Sequence, residues 1–331
     1  MIDRRTFIRA AATAFAAARL DAFAQPAGRV YRVGVLRPTS PPKSADRVAG
    51  EFMLPVALKN LGYVAGRNLI IEWRYAEGNV QRLPVLARGL VQMQVDLIVA
   101  IAGAAVRAAE EATATIPIII YGNFDPVAAG FVASLARPGH NVTGVLIAPE
   151  GTLAAKKLEL LTETVPRARR IAILAPEDPT SSTMQLPELQ QAAGALGIEL
   201  ALVSVRDNNY ADAFVRIVAT RPDALFVLAD TYFVLDRRSI IDLTIRHRLP
   251  AIWEWREQVE DGGLMAYGSR LSERYQRIAE YIDRIFRGAN PGELPVDQPT
   301  KFELVLNLKT AKGIGLTIPQ SVLVRADDLI Q

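Results

Sequence analysis

The chain has 331 residues, half of them hydrophobic, which suits two domains with their own cores and excludes a disordered protein. It contains no cysteine, which excludes disulfides, a thiol nucleophile and thiolate metal ligands. The formal net charge is only +3, which gives no electrostatic case for binding nucleic acid.

Residues 1–27 are predicted to be a signal peptide. Arg4 and Arg5 open a segment that resembles the twin-arginine motif, an alanine-rich stretch follows over residues 10–20, and residues 22–24 fit an Ala-x-Ala cleavage site. The alternative is a short amphipathic helix. The first 24 residues carry four arginines and two aspartates, so their removal lowers the formal net charge from +3 to +1. From this segment we expect an exported, periplasmic protein. No apolar run approaches the about 20 residues that span a bilayer, so we expect the mature protein to be soluble.

From residue 30 onward, strands, polar turns and helices alternate. Strands are predicted at residues 30–36, 68–74, 95–100 and 116–120, and the last is an unbroken apolar, β-branched run typical of a parallel sheet covered on both faces. In open α/β sheets, ligands bind beyond the carboxyl ends of the strands. The candidate ligand-binding residues in this half are Thr39, Ser40, Tyr75, Gly103, Ala104, Tyr121, Asn123 and Asp125.

Two groups of these candidates have alternative roles. Asp125 precedes Pro126, and an Asp-Pro pair after a strand also serves as the cap and first residue of a helix, here expected to end at a turn over residues 137–141. Gly103 and Ala104 leave the amides of a helix start approachable, which suits an anion such as a carboxylate. Small residues there also permit close packing of the helix on the sheet, so both pairs of alternatives stay open.

A second series of strands and helices follows residue 144. Strands are predicted at residues 170–175, 199–205, 224–228 and 251–253. The hydroxyl-rich loop over residues 176–183 contributes hydrogen-bonding groups. The candidate binding residues of this half are Ser181, Ser182, Asp230, Tyr232, Trp253, Glu254 and Trp255.

Residues 121–144 closely resemble the signature of a family of bacterial ABC-transporter solute-binding proteins. In that signature a Gly-x-x-Asp-Pro-Val turn follows a strand, as at residues 122–127, and Leu-Ala-Arg-Pro-Gly-x-Asn-Val-Thr-Gly comes next, as at residues 135–144. Further blocks resemble the family in its own order: LGYVAGRNL at 61–69, YAEG at 75–78, RHRLPAI at 246–252, GGLMAYG at 262–268 and PTKFELVLNLKTA at 299–311.

The resemblance implies an α/β protein of the type I periplasmic-binding architecture, with two Rossmann-like lobes that have parallel sheets. We expect one lobe at residues 28–143 plus 269–299 and the other at 144–268 plus 300–331, with crossings near residues 143, 268 and 300. A small solute would bind between the lobes, and hinge closure would retain it. The expected partners are the permease subunits of an ABC importer, and we expect a monomer.

The residues offer little for catalysis. His140 and His247 are the only histidines, so neither a histidine-based triad nor a two-histidine metal site is easily built, and no phosphate-binding glycine loop occurs. We expect no enzyme activity, no cofactor and no metal. Asp125, Asp230 and Glu254 suit either an acid–base pair of a cleft hydrolase or, as the family favours, a cationic group of a bound solute. A ligand-sensing protein or effector domain without transport is the remaining alternative.

The candidate residues combine aromatic rings, carboxylates and a helix start. This mixture predicts a zwitterion with an apolar or aromatic side chain, best an amino acid, because rings stack on the side chain, a carboxylate pairs with the ammonium and backbone amides bind the carboxylate. Trp253 and Trp255 can equally have a structural role, packing at the strand end and the hinge.

Overall fold

The computed structural model describes residues 29–42, 50–148, 153–176, 185–206 and 209–331. The predicted signal peptide, Ser181 and Ser182 lie outside the described residues. Within them, the chain forms two α/β lobes, each built on its own sheet.

The first lobe contains a five-stranded parallel sheet. Its strands are β1 (Tyr31–Arg37), β2 (Leu69–Tyr75), β3 (Leu97–Ile101), β4 (Ile118–Gly122) and β5 (Val142–Leu146), and their spatial order is β2-β1-β3-β4-β5. Helices α1 (Gly50–Asn60), α2 (Leu83–Gln92) and α3 (Gly103–Ala112) connect the first strands. Every residue of β3, β4 and β5 is buried, as their unbroken apolar sequences predict for strands with helices on both faces.

The second lobe begins with strands and helices in alternation. These are α4 (Leu153–Thr164), β6 (Arg170–Ala175), α5 (Gln185–Leu196), β7 (Glu199–Ser204), α6 (Tyr210–Ala219), β8 (Ala224–Val227), α7 (Thr231–Leu235), α8 (Arg237–Arg246), β9 (Ala251–Trp253), α9 (Arg256–Glu260) and β10 (Met265–Gly268). After α10 (Leu271–Phe286), the lobe is completed by β11 (Glu303–Asn307), α11 (Leu308–Ile314), α12 (Gln320–Leu323) and β12 (Asp328–Ile330).

The sheet of the second lobe has seven strands in the order β12-β11-β10-β9-β8-β6-β7. β10 and β11 pair antiparallel, whereas the other neighbours are parallel. The expected parallel sheets are therefore mostly, not entirely, parallel. The reason lies in the route of the chain, which leaves β10 for the first lobe and re-enters the second lobe at β11 from the opposite direction.

Helix α10 returns to the first lobe. Its buried side chains include Leu271, Tyr275, Ile278 and Ile282, spaced so that they share one face of the helix. They belong to the same buried cluster as Leu54 and Leu58 of α1. Residues of α2 and α3 cover the opposite face of the sheet, which makes the first lobe a three-layer structure.

The first crossing between lobes lies later than expected. β5 pairs with β4 over its whole length, from Val142 opposite Ile118 to Leu146 opposite Gly122. The expected boundary at residues 143/144 would cut through this strand, so the chain leaves the first sheet only after Leu146. The return segment bridges to the same strand, since Asp297 pairs with Val145.

The segment after β4 differs from its expected helix. Residues 126–136 form consecutive turns and bends, not a helix. Their apolar side chains still pack, with Phe124 and Phe131 in an edge-to-face contact at 5.7 Å between ring centroids. In the described residues, no helix has the length and apolar character to cross a membrane.

Candidate functional site

The carboxyl ends of β1, β3 and β4 meet at one edge of the first sheet because these strands are parallel neighbours. Thr39 follows β1 and Tyr121 lies near the end of β4, and each is only 1% exposed. Neither hydroxyl has a hydrogen-bond partner among the described residues. Because buried polar groups are almost always hydrogen-bonded, two such hydroxyls at this edge indicate a place for solvent or solute.

Three further candidates of the first lobe also lie at or just after the carboxyl ends of strands. Tyr75 ends the edge strand β2 and stacks on Trp73 at 6.4 Å between centroids. Ser40 is exposed after Thr39, and Asn123 is half-buried directly after β4. All three therefore follow carboxyl strand ends, as predicted.

Helix α3 begins beside the same edge. Ala102, its N-cap, has a φ of +71°, and no side chain in the described part of the chain caps the helix. Such a strained residue is often held where function needs it. A Cβ atom at Gly103 would lie 3.9 Å from Phe131 and 4.0 Å from Phe124, which is ordinary contact. Close packing therefore does not explain this glycine, and the open helix start with Gly103 and Ala104 remains available to an anion.

Asp125 has the capping role that the sequence left open. Its Oδ1 accepts hydrogen bonds from the amides of Val127 at 2.8 Å and Ala128 at 3.0 Å. The residue caps a turn, not a helix. A change at Asp125 would therefore disturb the loop as well as any bound solute.

The carboxylates of the second lobe also have partners inside their own lobe. Asp230 is the N-cap of α7, and its Oδ1 accepts a hydrogen bond from the Tyr232 amide at 2.8 Å. Glu254 Oε2 pairs with Lys157 Nζ at 2.6 Å, and the two side chains are 2% and 1% exposed. Burial raises the pKa of Glu254, and the Lys157 charge opposes this.

Each of the three carboxylates thus has a structural partner of its own. Glu254 keeps one unused atom, since its Oε1 has no hydrogen-bond partner within the described ranges.

Two glutamines that the sequence analysis missed hold the strand ends of the second lobe. Gln185 exchanges two hydrogen bonds with the backbone of Ala229, at 2.9 and 3.2 Å. Gln258 Oε1 accepts from the amides of Glu254 at 3.2 Å and Trp255 at 3.0 Å. A glutamine three residues after a helix cap is a known capping signal and could have identified Gln258.

The two tryptophans are both buried but pack against different parts of the protein. Trp253 is fully buried in the core of the second lobe, so its predicted place in the cleft is wrong: it extends from β9 into the sheet–helix interior. Trp255 is 1% exposed and belongs to the buried cluster that contains Tyr121 and Tyr275 of the first lobe. It thus joins the lobes, and its Nε1 has no partner in the described part of the chain.

Charged and aromatic residues from both lobes surround Tyr121. Its ring centroid lies 5.5 Å from that of Tyr275. Burial raises the pKa of Tyr121 well above its usual range; Tyr275 and Glu257 add to this, whereas Arg274 and Arg37 oppose it. Burial likewise raises the pKa of Glu257 to about 7.

The sequence analysis missed Glu257, Arg274 and Tyr275. Each lies in the first turn or two of a helix that follows a strand end or a crossing, and this position could have identified them. The two neighbouring crossings are joined by a hydrogen bond from Ser269 Oγ to the Ile147 carbonyl at 3.2 Å. Within the described ranges, no group of three histidine, cysteine, aspartate or glutamate residues is placed to hold a metal ion.

Comparison with known proteins agrees with this architecture. Residues 32–330 match the family model described as "ABC transporter substrate binding protein". A protein of Clostridioides difficile (strain R20291) named "Tyrosine-binding protein" is 26% identical over 260 residues, which are 78% of this chain and 74% of that protein.

Two solved structures are similar over 91% of this chain and all of theirs. One is a conserved domain protein from Vibrio cholerae, with a TM-score of 0.80 and 27% identity. The other is an ABC domain from Streptococcus pneumoniae in complex with L-Trp, with a TM-score of 0.78 and 26% identity. Two α/β lobes with mostly parallel sheets thus correspond to the type I periplasmic-binding architecture.

The match to the family model covers nearly the whole described chain, and the similar proteins are binding proteins, not enzymes. The chain therefore belongs to the ABC transporter substrate-binding protein family, an extracytoplasmic family, and is a binding protein for a small-molecule solute.

Proposed function

We propose that this protein binds an amino acid with an aromatic or apolar side chain between its two lobes and delivers it to an ABC importer. The observation that carries the proposal is the set of buried polar atoms without partners among the described residues, Thr39 Oγ1 and Tyr121 Oη from the first lobe and Glu254 Oε1 and Trp255 Nε1 from the second. A solute with its own donors and acceptors would satisfy these atoms. The names of two similar proteins, which mention tyrosine and L-Trp, support this solute class.

Each end of an amino acid has a counterpart in this arrangement. We assign the carboxylate of the solute to the open start of α3 at Gly103 and Ala104, and a hydrogen bond to it from the Thr39 hydroxyl. We assign its ammonium to Glu254 Oε1, the oxygen that Lys157 does not use. Ser40, Tyr75, Asn123, Tyr232, Ser181 and Ser182 are proposed to line the rim.

Closure of the two lobes about the three chain crossings would retain the solute. Hinge closure is the usual motion of two lobes joined in this way. Small-angle X-ray scattering is expected to show a smaller radius of gyration after addition of the solute. An unchanged profile at saturation would contradict closure. The monomeric state is a prediction that the same scattering data test.

Ligand screening tests the solute class directly. A thermal-shift screen of the mature protein against the L-amino acids is expected to give its largest rise with an aromatic one, because a ligand present at 100 times its Kd stabilises the native state by about 2.7 kcal/mol. Aromatic acids and small amines serve as comparison solutes. The absence of any shift with an amino acid would contradict the proposal.

A matched pair of threonines tests the site. Thr39→Val removes a hydroxyl with no described partner and is expected to weaken solute binding without loss of stability. Thr143→Val is the control, since the Thr143 hydroxyl is buried and donates to the Leu294 carbonyl at 2.7 Å, near the amino end of β5. It is expected to lower stability by about 1 kcal/mol and to leave the affinity unchanged.

We also propose export to the periplasm by a twin-arginine signal. Arg4 and Arg5, followed by an alanine-rich stretch, support this. Changing both residues to lysine is expected to leave the precursor in the cytoplasm. Normal processing of that variant would contradict the twin-arginine assignment.

A further inference from the structure

Buried polar atoms without a described partner occur in both lobes around Tyr121. Tyr121 of β4 is buried in the first lobe, and Glu257 of α9 in the second lobe is near enough for its charge to act on the phenol. Trp255, the N-cap of α9, belongs to the same buried cluster as Tyr121. This region is therefore lined from both lobes.

This region contains hydrogen-bond donors and an acceptor that have no described partner. Tyr121 Oη and Trp255 Nε1 can donate hydrogen bonds, and Glu257 Oε2 can accept one. All three atoms are buried, and none has a hydrogen-bond partner in the part of the chain that the structure describes. By contrast, Gln258, the next residue along α9, has both ends of its side chain hydrogen-bonded.

The charges around these atoms do not favour a cationic solute group. Arg274 and Arg37 lie near enough to Tyr121 to lower the pKa of its phenol. On the side of Glu257, Glu260 and Glu303 raise the pKa of its carboxyl, whereas Arg237 lowers it. With two guanidinium groups nearby and a carboxyl that is easily protonated, the region suits an uncharged donor better than an ammonium.

The apolar surroundings define the rest of the solute group. The rings of Tyr121, Tyr275 and Trp255 share one buried cluster. Such rings pack well on another ring in offset or edge-to-face arrangements. The region thus combines buried aromatic rings with one unused acceptor.

We propose that Glu257 determines specificity by accepting a hydrogen bond from an uncharged O–H or N–H at the end of an aromatic solute side chain. This inference rests on the proposed amino acid function. A phenol or an indole satisfies the acceptor, whereas a phenyl ring leaves Oε2 buried and unpaired.

The test compares solutes that differ only in this donor. Isothermal titration calorimetry with the mature protein would use L-tyrosine against L-phenylalanine, and L-tryptophan against 3-(3-benzothienyl)-L-alanine, which replaces the indole N–H by sulfur. We expect the donor-bearing member of at least one pair to bind about tenfold or more tightly, because a buried acceptor without a partner is costly.

Three variants assign the preference to Glu257. Glu257→Met is expected to abolish it, and Glu257→Gln is expected to retain it because the amide oxygen still accepts a hydrogen bond. Glu260→Met, an exposed position on the same helix, is the control and is expected to keep the wild-type preference. If Glu257→Met does not fold, Glu257→Leu is the second variant and is expected to abolish the preference in the same way.

The outcomes separate this inference from the proposed function. Equal affinities within both pairs for the wild type, or an unchanged preference in Glu257→Met, would overturn the role of Glu257 while leaving an amino acid binder. Failure of the wild type to bind any of the four solutes would instead contradict the amino acid function, and this inference with it.

Discussion

The two lobes treat the polar groups at their strand ends differently. In the second lobe, Lys157 pairs with Glu254, Gln185 and Gln258 bind backbone groups, and Asp230 caps a helix. In the first lobe, Asp125 is similarly engaged, but the buried hydroxyls of Thr39 and Tyr121 have no partner among the described residues.

This difference indicates a division of roles. The second lobe pairs the charged groups of its strand ends and leaves single atoms such as Glu254 Oε1 and Glu257 Oε2 without a described partner. In the first lobe, the hydroxyls of Thr39 and Tyr121 are each the only polar group of their side chain, and neither has a described partner. Substitutions in the second lobe should therefore affect stability more, and substitutions of these hydroxyls should affect binding more. Four predictions test this comparison, from the largest expected effect to the smallest.

The buried ion pair of the second lobe should show the largest effect. Lys157→Met leaves the buried Glu254 carboxylate without its cation, so the free energy of unfolding is expected to fall by about 3–5 kcal/mol in urea denaturation at pH 7. The double variant Lys157→Met/Glu254→Gln removes the unpaired charge and should recover part of this loss. A loss of less than about 1 kcal/mol in the free energy of unfolding of Lys157→Met is typical of a solvent-exposed ion pair. Such a result would contradict a buried Lys157–Glu254 pair.

Glu257 should make stability depend on pH. Its pKa is raised from 4.5 to about 7 in the folded protein, mainly by burial, with Glu260 and Glu303 adding and Arg237 opposing. The folded state binds the proton of Glu257 more tightly than the unfolded state does. The stabilisation that results is fully present below pH 4.5 and is lost as the pH rises through about 7.

The measurement compares the wild type with Glu257→Gln by urea denaturation across this pH range. The free energy of unfolding of the wild type should fall relative to the variant by up to about 3 kcal/mol. Since Glu110 also has a pKa raised to about 7 by burial, only the difference between the two proteins isolates Glu257. Parallel pH profiles would show that the Glu257 carboxyl is not buried as described.

Substitution of Gln258 should lower the stability of the second lobe although its side chain is uncharged. Gln258→Leu leaves the amides of Glu254 and Trp255 without their acceptor and should lower the free energy of unfolding by about 1–3 kcal/mol. The exposed Gln81 provides the control, and Gln81→Leu should change stability by less than about 0.5 kcal/mol. Equal losses of stability in the two variants would contradict the role of Gln258 as the acceptor for these two amides.

The phenol of Tyr121 should show the smallest effect on stability. Tyr121→Phe removes a hydroxyl with no described partner, so the solute-free protein should lose less than about 0.5 kcal/mol or gain stability. Tyr281→Phe is the matched change, since Tyr281 is also 1% exposed but donates to the Pro295 carbonyl at 2.5 Å, and it should cost about 1 kcal/mol. A larger loss for Tyr121→Phe would mean that its hydroxyl already has a partner in solution.

Most regular elements were predictable because their signals are local. The strand at residues 170–175 and the helix at 185–196 have the expected bounds, since an apolar run and a period of 3.6 residues are visible in a short window. The turn segment after β4 was not, because an aspartate followed by proline caps a turn as well as it begins a helix. Helix α6 and the short elements near the carboxyl terminus were not predicted.

The amino-acid sequence alone was sufficient for the α/β class, the alternation of strands and helices, and the family, all of which rest on local patterns and ordered motifs. It also predicted candidate side chains at strand ends, and their part in binding stays a prediction. The roles of these side chains depended on distances between remote segments: Lys157 and Glu254 are 97 residues apart in the chain, yet they form one buried pair. Likewise, Trp253 and Trp255 have the same residue type and nearly the same position, but one packs within its own lobe and the other packs against the opposite lobe. The physical reason is that charge pairing and burial depend on which surfaces meet after the lobes have folded, and no local pattern contains that information.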